Sequence, residues 1–539
     1  MDEVARGNSH FPAQTDLPVL ETTVGGILKE CARQAPDSTA LIEALPTTGR
    51  GRHWTYGELL SDAERLAGAL LSRFTPGERI CVWAPNIPEW VILEYAAALA
   101  GLTLVTANPA FQERELRYVL EQSRASALFH VQEHRGNPMA RIAKDAAQGN
   151  AQLREIIDLE QADALFASDR AGPPFPDVSA SDPVQIQYTS GTTGLPKGAM
   201  ISHRALTNNA RFHFLLSGVE EGDTTLNFMP LFHTASCGLM VLGSAQFHCA
   251  MVLARLFDPA WMLDVIEQGS VNVLSAVPTM FVGLLEAQQE RRRTLSSVRC
   301  AITGGATVPP ELVRQVRERF GWELLTVYGQ TECSPLLTQV RPDDPEELRD
   351  TSVGMPLPHT ELSVRDPATN QLAPIGAVGE ICARGYAVMI GYNDDPEATS
   401  RAIDADGWLH TGDLGILNSR GFLTVTGRLK DVIIRGGENL FPAEIESVIL
   451  EHPSVAETAV VGLPDERWGE IVIAFIRLAP DFSFDERALV DHCRERLARP
   501  KIPVRWIVVT EWPLTGPGKI QKFSLKERLA SGYYGDQQT

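Results

Sequence analysis

The sequence predicts an α/β protein in which a large N-terminal domain of parallel-rich, helix-covered sheets precedes a small α+β domain. At 539 residues the chain is too long for one compact core, so we expect at least two domains. Apolar, β-branched runs alternate with helical patterns as far as about Arg428, which is typical of parallel sheets covered by helices. Beyond that residue the pattern changes to short strands and helices, which predict the second domain.

The helix starts of the large domain carry recognisable signals. Thr55 and Glu58 form a capping-box pattern before an apolar series at helical spacing. Asn86, with Glu89 three residues later, predicts the cap of a second helix that ends near Gly101. Further elements are predicted as strands at 80–83, 102–106, 127–131, 184–188 and 324–328, and as helices from about 205 and over 309–320.

The segment after Arg428 is about 110 residues long, which is enough for a domain of its own. Pro442 starts a predicted helix that continues to His452, and another helix is predicted from about Glu486 to Leu497. Strands are predicted at 432–434, 459–463, 471–478 and 506–510.

Composition restricts the partners and the compartment. A formal net charge of −20 argues against nucleic acid or an anionic membrane as a partner, because both require a basic surface. The eight cysteines show no C-x-x-C pair, which favours a reducing cytoplasm over a disulfide framework or a zinc site. The first 19 residues lack the apolar core of a signal peptide. The apolar stretches 91–105 and 239–256 are interrupted by polar residues and predict buried elements, not membrane spans.

A loop rich in glycine and hydroxyl groups, from Tyr188 to Gly198, follows the apolar run 184–188. Glycines, hydroxyl donors and one lysine on a single loop are what a polyphosphate requires. The loop is not a Walker A motif, because Leu195 and Pro196 separate the second glycine from the lysine. A flexible surface loop is the alternative. The candidate phosphate contacts are Thr189, Ser190, Gly191, Thr192, Thr193, Gly194 and Lys197.

This loop closely resembles the phosphate loop of the AMP-forming adenylating enzymes, the superfamily of acyl-CoA synthetases, peptide-synthetase adenylation domains and firefly-type luciferases. Further ordered motifs extend the resemblance from roughly Trp54 to Leu525. The resemblance implies that ATP and Mg²⁺ are bound. It also implies a mobile C-terminal domain with its hinge at Lys430, which divides the chain into domains 1–429 and 430–539.

The segment from Tyr328 to Glu332 matches the family's motif for ATP and magnesium. The match implies that Glu332 binds Mg²⁺, Thr331 contacts the α-phosphate, and Tyr328, before Gly329, stacks on adenine. A carboxylate suits Mg²⁺, which takes one or two protein carboxylates and fills its other sites with phosphate and water. Read without the family, a Thr-Glu pair after a strand is more often a helix cap.

Two other motifs match the nucleotide contacts of the family. The segment Thr303-Gly304-Gly305-Ala306 is an ordinary strand-to-helix turn on its own, whereas the match implies close approach of adenine and the acyl group. Asp413, in Trp408-Leu409-His410-Thr411-Gly412-Asp413, is expected to accept from both ribose hydroxyls. Arg428 matches a second ribose or phosphate contact, although a solvated aspartate or arginine is the default interpretation of either residue.

The residues expected to take part in catalysis are Thr189, His233, Glu332 and Lys519. His233 matches a position that lines the carboxylate entry, and we assign it positioning, because a carboxylate is already ionised at pH 7. Lys519 matches the catalytic lysine of the family's C-terminal motif. Gly436 and Gly437 match the stretch that lines the pantetheine tunnel after domain rotation.

The segment 234–239 contains no acid to pair the ammonium group of an amino acid, and an unpaired buried charge costs several kcal/mol. The chain looks most like medium-chain or fatty acyl-CoA synthetases, which implies an apolar medium-chain, fatty or bulky acid, with room beside Ser236 and Gly238.

CoA is the expected acceptor, and an acyl carrier protein is the alternative. We expect a monomer or a homodimer. The cluster that weakly favours CoA is Arg494, Arg496, Arg499 and Lys501.

The sequence also leaves two further classes of protein open. A non-catalytic nucleotide sensor would be expected to lack Lys519 or Glu332, and both are present. A luciferase-type oxygenase shares every motif.

Overall fold

The chain folds into four β-sheets in the computed structural model, which describes residues 7–46, 49–161, 174–189, 196–479, 482–514 and 520–534. The largest sheet has a parallel block of six strands, with antiparallel strands at both edges. Its nine strands lie in the order Met355–Pro356, Leu336–Gln339, Glu323–Gly329, Cys300–Gly304, Val273–Ala276, Thr224–Asn227, Ala250–Ala254, Thr39–Leu45 and Gly49–Thr55.

The second sheet also contains a parallel block, extended on one side by an antiparallel hairpin. Its seven strands lie in the order Gly391–Tyr392, Lys197–Ser202, Pro183–Thr189, Thr103–Thr106, Arg79–Trp83, Ala127–His130 and Glu155–Asp158. These two sheets confirm the predicted class of an α/β fold with parallel-rich sheets.

Helices from the N-terminal half fill the space between the two sheets. The largest apolar cluster joins Leu41 of the nine-stranded sheet to Ile80 of the seven-stranded sheet through these helices. No described helix has the length and apolarity needed to cross a bilayer. Up to residue 402 the α-helices among the described residues are Val24–Gln34, Tyr56–Leu71, Pro88–Leu99, Glu113–Ser123, Met139–Ala146, His203–Leu216, Leu242–Gln246, Pro259–Gly269, Pro278–Glu290, Pro310–Phe320, Glu346–Thr351 and Pro396–Ala402.

A five-stranded antiparallel sheet was not predicted. Its strands alternate with turns and contain several glycines, so the patterns used to find strand–helix units do not detect it. The strand order is His10–Phe11, Thr360–Arg365, Gly379–Gly385, Leu409–Leu417 and Leu423–Arg428.

The residues after Arg428 form a separate mixed sheet with its own apolar clusters. The predicted domain boundary at Lys430 lies in a short 3₁₀ segment, Leu429–Asp431, just before this sheet, and it stays a prediction. The strands are Glu438–Leu440, Ile433–Arg435, Gly469–Leu478, Val455–Asp465 and Arg505–Val508, and the helices are Pro442–Leu450, Glu486–Arg496 and Lys522–Ala530.

The two predicted helix caps had different outcomes. Thr55 and Glu58 form the predicted capping box. Asn86 does not cap the next helix, which begins at Pro88 after Ile87. The buried Asn86 amide instead donates to the carbonyl oxygens of Met229 (2.9 Å) and Ala254 (3.1 Å) and accepts from the Leu231 amide (2.8 Å). Asn86 therefore ties the end of a strand in one sheet to the ends of two strands in the other.

Replacing Asn86 by alanine should lower the free energy of unfolding by about 3 kcal/mol, because three buried backbone groups lose their partner. Denaturant titration of the purified protein measures the change. Gln34→Ala, an exposed amide on a surface helix, is the control and should stay within about 0.5 kcal/mol of the parent. Equal midpoints for Asn86→Ala and the parent protein would contradict this role of Asn86.

Candidate active site

Several predicted site residues lie at or just beyond the carboxyl ends of parallel strands, where open α/β sheets bind ligands. Thr189 ends a strand of the seven-stranded sheet, whereas Gly304 and Gly329 end neighbouring strands of the nine-stranded sheet. His233 lies in the segment after the strand Thr224–Asn227. The fold thus brings motifs that are far apart in sequence to the facing edges of two sheets.

The predicted phosphate loop lies in a hairpin. Strand Pro183–Thr189 pairs antiparallel with Lys197–Ser202, and Thr189 lies opposite Lys197. Five of the predicted contacts lie outside the described residues, namely Ser190, Gly191, Thr192, Thr193 and Gly194.

Gly198, at the base of this hairpin, has a packing role that the sequence did not indicate. A β-carbon on Gly198 would lie 2.7 Å from the Ile186 side chain. We had expected this glycine to let the backbone approach a ligand. Its small size instead permits the close contact between the two strands.

Lys197 and Glu332 both contact Tyr392. The Lys197 ammonium lies 5.0 Å from the centre of the Tyr392 ring, and the Tyr392 hydroxyl donates to Glu332 Oε1 at 2.7 Å. Burial, together with the Glu332 carboxylate, raises the pKa of Tyr392, so the phenol keeps its proton and remains a donor. Sequence reasoning missed Tyr392, because a lone tyrosine after a glycine carries no signal of chemistry by itself.

A 3₁₀ turn, Thr331–Cys333, fixes the backbone of Glu332. The Gln330 amide donates to Cys333 Sγ (3.1 Å), and this thiol donates back to the Gln330 carbonyl oxygen (3.0 Å). The Met389 amide donates to the Glu332 carbonyl oxygen at 2.9 Å. The reciprocal contacts at the start of the turn involve Gln330 and Cys333, which leaves the side chains of Thr331 and Glu332 for other partners.

Gly304 and Gly329 are required by the packing of neighbouring strands. A β-carbon on Gly329 would lie 2.0 Å from the Pro335 carbonyl oxygen, and one on Gly304 would lie 2.6 Å from the Val327 carbonyl oxygen. Gly305 has a φ of +78°, which favours glycine, and it is exposed together with Ala306 beyond the strand end. Of this motif, Gly305 and Ala306 are therefore the residues open to a ligand.

Asp413 is held by two partners from the nucleotide motifs. The buried Tyr328 hydroxyl donates to Asp413 Oδ2 at 3.0 Å, and Arg428 Nε lies 3.0 Å from Asp413 Oδ1. Asp413 and Arg428 are direct partners on adjacent antiparallel strands. The structure thus brings together three residues that were predicted to contact adenosine, and their individual roles stay predictions.

The segment with His233 is fixed by hydrogen bonds. The Thr106 hydroxyl donates to the Phe232 carbonyl oxygen (2.8 Å), and His233 Nδ1 accepts from the Ala235 amide (3.3 Å). A π-helix, Ala235–Val241, follows, and such helices are frequent at functional sites.

The expected space beside Ser236 and Gly238 is largely filled. A β-carbon on Gly238 would lie 2.7 Å from the Leu206 side chain. The fully buried Ser236 hydroxyl lies 2.7 Å from the Met229 carbonyl oxygen. The small size of these two residues is therefore used for packing and does not by itself provide room for an acyl group.

The predicted CoA contacts of the C-terminal domain lie on a hairpin turn. Gly436 and Gly437 connect two short strands with φ values of +60° and +84°, which explains the glycine pair. The Gly436 amide donates to the Trp468 carbonyl oxygen at 2.7 Å. Lys430 is exposed beside this domain. Lys519 lies outside the described residues.

The basic cluster of this domain is largely paired with acids. Arg494 lies 3.0 Å from Asp491, and Lys501 lies 2.5 Å from Glu444. Arg496 lies 3.3 Å from Glu451. The cluster therefore gives less support to a phosphate site for CoA than its sequence suggested.

Comparison with known proteins extends these observations to the whole chain. Residues 28–393 match the AMP-binding enzyme family, and residues 444–519 match the AMP-binding enzyme C-terminal domain. YngI of Bacillus subtilis (strain 168), whose name assigns it to the acyl-CoA synthetases, is 35% identical over 95% of this chain and 97% of its own. The mitochondrial medium-chain acyl-CoA ligase ACSF2 of Macaca fascicularis is 33% identical over 97% of this chain and 90% of its own.

A solved structure supports the same relationship. The anthranilate CoA ligase AuaEII, in complex with anthranoyl-AMP, superposes with a TM-score of 0.86 at 26% identity, over 96% of this chain and 99% of its own. The chain therefore belongs to the AMP-binding enzyme family, and within it to the AMP-forming acyl-CoA ligases.

Proposed function

We propose that this enzyme joins an apolar medium-chain, fatty or bulky carboxylic acid to CoA through an acyl-adenylate. The supporting observation is that one segment, from Glu323 to Cys333, reaches both groups of polar side chains. Its Tyr328 hydroxyl donates to Asp413, and its Glu332 carboxylate accepts from Tyr392 beside Lys197. A nucleotide with its ribose on Asp413 would extend its phosphates toward Glu332 and Lys197.

The residues present fit a magnesium ion. Glu332 offers a hard carboxylate oxygen, which together with phosphate and water suits Mg²⁺. Bound there, Mg²⁺ would offset the negative charge of the ATP phosphates. The Tyr392 hydroxyl keeps the carboxylate in one orientation, and Lys197 adds a positive charge over the phenol ring.

In the first half-reaction, a carboxylate oxygen of the acid attacks the α-phosphorus of ATP, and pyrophosphate leaves. The acid is ionised at pH 7, so this step requires no general base. His233, held by its backbone contacts, would orient the carboxylate. Lys519 would stabilise the negative charge of the transition state.

In the second half-reaction, the CoA thiol attacks the acyl carbon, and AMP leaves. Lys519 and the thiol need the same space, so we propose that domain 430–539 rotates about Lys430 between the steps. The rotation would withdraw Lys519 and present the turn at Gly436 and Gly437, where the absence of side chains suits a thin pantetheine arm.

The polar groups near the π-helix argue against an amino-acid substrate. Glu94 is fully buried, and Gln185 donates to its Oε1 at 2.6 Å, whereas Cys237 of the π-helix lies 3.5 Å from Gln185 Oε1. Burial raises the pKa of Glu94 well above its ordinary value. Burial therefore favours the neutral form of this carboxyl, which offers no charge to an ammonium group.

An acyl carrier protein is the second candidate acceptor. The observation that favours it is the pairing of Arg494, Arg496 and Lys501 with acids, which leaves the terminal 3′-phosphate of CoA without an evident cluster of free cations among the described residues.

A substrate panel tests the proposed acyl group and acceptor together. Octanoate and benzoate should form AMP at least about a hundredfold faster than leucine, because leucine would bring an unpaired ammonium into the site. CoA should discharge the adenylate faster than a holo acyl carrier protein does. AMP and thioester are measured by chromatography. Faster turnover of leucine would overturn the substrate class, and faster loading of the carrier protein would overturn the acceptor.

The two half-reactions should respond to different residues. Lys519→Ala should slow adenylation about a hundred- to a thousandfold, because a preorganised charge is lost. Supplied with acyl-adenylate, the same variant should still form acyl-CoA at the parent rate. Gly437→Asn tolerates the left-handed backbone but adds a side chain, and it should slow only the second step.

Lys526→Ala, on the helix that follows Lys519, is the matched control and should leave both steps unchanged. Equal loss of both half-reactions in Lys519→Ala would contradict the rotation of the domain.

Tyr392 should lower the Mg²⁺ concentration that adenylation requires. Tyr392→Phe removes the hydroxyl that orients Glu332, and loss of such a contact costs about tenfold or more in metal affinity. We expect the Mg²⁺ concentration for half-maximal adenylation to rise by that factor. The control is Tyr386→Phe, which removes the hydroxyl of another half-buried tyrosine, 3.4 Å from the Asn209 side-chain amide. An unchanged Mg²⁺ dependence in Tyr392→Phe would contradict the role of Glu332 or its support by Tyr392.

A further inference from the structure

A chain of hydrogen-bonding side chains lies behind Asp413. His410 Nδ1 and Glu380 Oε2 are 2.9 Å apart, and the other oxygen of Glu380 accepts from the Gly412 amide at 3.0 Å. On the far side, His410 Nε2 lies 3.5 Å from Asp404 Oδ2. These contacts thus run from Asp404 through His410 and Glu380 to Gly412, the residue that precedes Asp413.

The backbone around Asp413 explains why these side chains are needed. Strands Gly379–Gly385 and Leu409–Leu417 pair regularly on both sides of a β-bulge. Glu380 lies opposite Leu414, and Cys382 lies opposite His410, so Ile381 alone faces the segment 411–413. A bulge leaves backbone groups without ladder partners and turns a side chain in a new direction.

Three polar groups in the bulge have partners on the neighbouring strand or within the bulge. Gly412 has a φ of +70°, and its amide goes to Glu380. The Thr411 hydroxyl donates to the Ile381 carbonyl oxygen (2.7 Å) and accepts from the Asp413 amide (3.1 Å). Glu380 is the only charged side chain in these contacts, and hydrogen bonds to a charged acceptor are the stronger ones.

We infer that His410 and Glu380 are positioning residues for ribose recognition: they hold the bulge so that the Asp413 carboxylate faces the two ribose hydroxyls. The inference rests on the proposed function, because it takes Asp413 as the ribose contact. In this inference His410 acts through Glu380. It fixes the Glu380 carboxylate, which fixes the Gly412 amide and with it the direction of the Asp413 side chain.

A metal ion is a competing explanation for the same side chains. Glu380, Cys382 and His410 bring one ligand atom each within 4.8 Å of one another. His410 Nδ1 and Glu380 Oε2 already satisfy each other at 2.9 Å, whereas ligands of a tetrahedral zinc ion lie about 3.3 Å apart. Burial also raises the pKa of Cys382, which disfavours the thiolate that a metal needs. The geometry therefore favours a metal-free hydrogen-bonded pair.

The experiment compares the binding of AMP and 2′,3′-dideoxy-AMP by calorimetry. The ratio of their dissociation constants measures recognition of the ribose hydroxyls. His410→Ala should reduce this ratio about tenfold, because Asp413 loses its fixed direction. His410→Asn, which keeps an N–H group near the position of Nδ1, should restore most of the ratio. Addition of zinc or a chelator should leave the parent ratio unchanged.

His10→Ala is the matched control. His10 Nε2 lies 2.8 Å from Glu361 Oε1 in the same sheet, so its loss removes a similar pair, one that does not include Glu380 or Gly412. This variant should keep the parent ratio. If His410→Ala does not fold, Glu380→Gln tests the same series of hydrogen bonds. A neutral amide holds Gly412 and His410 less strongly, so this variant should also reduce the ratio.

The outcomes separate the inference from the proposed function. A parent enzyme that binds both nucleotides equally would contradict Asp413 as the ribose contact. A parent enzyme that discriminates between them, with an unchanged ratio in His410→Ala or in Glu380→Gln, would overturn only the positioning role. A ratio that depends on zinc would overturn the metal-free pair.

Discussion

The central constraint on the proposed site is that its carboxylates would have to lie close to a polyphosphate in a protein with a net charge of −20. Each carboxylate of the site is held by a donor. Tyr392 donates to Glu332, and Tyr328, with Arg428, holds Asp413. Such partners fix the direction of the negative charge and reduce the repulsion that a phosphate would meet.

The same constraint explains the arrangement of the fold. Parallel strands from two sheets end at facing edges, so loops from distant parts of the sequence meet there without a long connection. Asn86 ties these edges together beneath the segment with His233. The antiparallel five-stranded sheet adds Asp413 on a bulge, and the hairpin Pro183–Thr189 with Lys197–Ser202 adds the lysine. Rigid elements thus position the polar groups, and the ligand need not order them.

Much of the fold was predictable, because buried parallel strands and capped helices leave strong local patterns. The strand Arg79–Trp83 and the capping box at Thr55 are examples. The five-stranded antiparallel sheet was missed, because its short, glycine-rich strands have no such pattern. Asn86 was misassigned as a helix cap, because an asparagine side chain can equally well form hydrogen bonds to residues far away in the sequence. Only the tertiary structure distinguishes a cap from such long-range contacts.

Part of the candidate site was likewise predictable from the sequence, and part was not. The motifs around Glu332 and Asp413 were found, because their spacing is local. Their supports, Tyr392 and the pair His410–Glu380, were missed as supports, because the contacts Tyr392–Glu332 and His410–Glu380 join residues that are 60 and 30 positions apart in the sequence. Gly198 and Gly304 were expected to lie close to a ligand, which stays a prediction, and contacts with neighbouring strands also require their small size. A glycine in the sequence indicates that another group comes close to the backbone, but the sequence does not tell whether that group is a ligand or a neighbouring strand.

The most direct test of this account is a crystal structure of the enzyme with an octanoyl sulfamoyl adenosine, a stable analogue of the acyl-adenylate. The account predicts both ribose hydroxyls within hydrogen-bonding distance of the Asp413 carboxylate. It also predicts the sulfamoyl group beside Thr331 and the acyl carbonyl near His233. An analogue bound away from the facing sheet edges, or with its ribose on residues other than Asp413, would contradict the account.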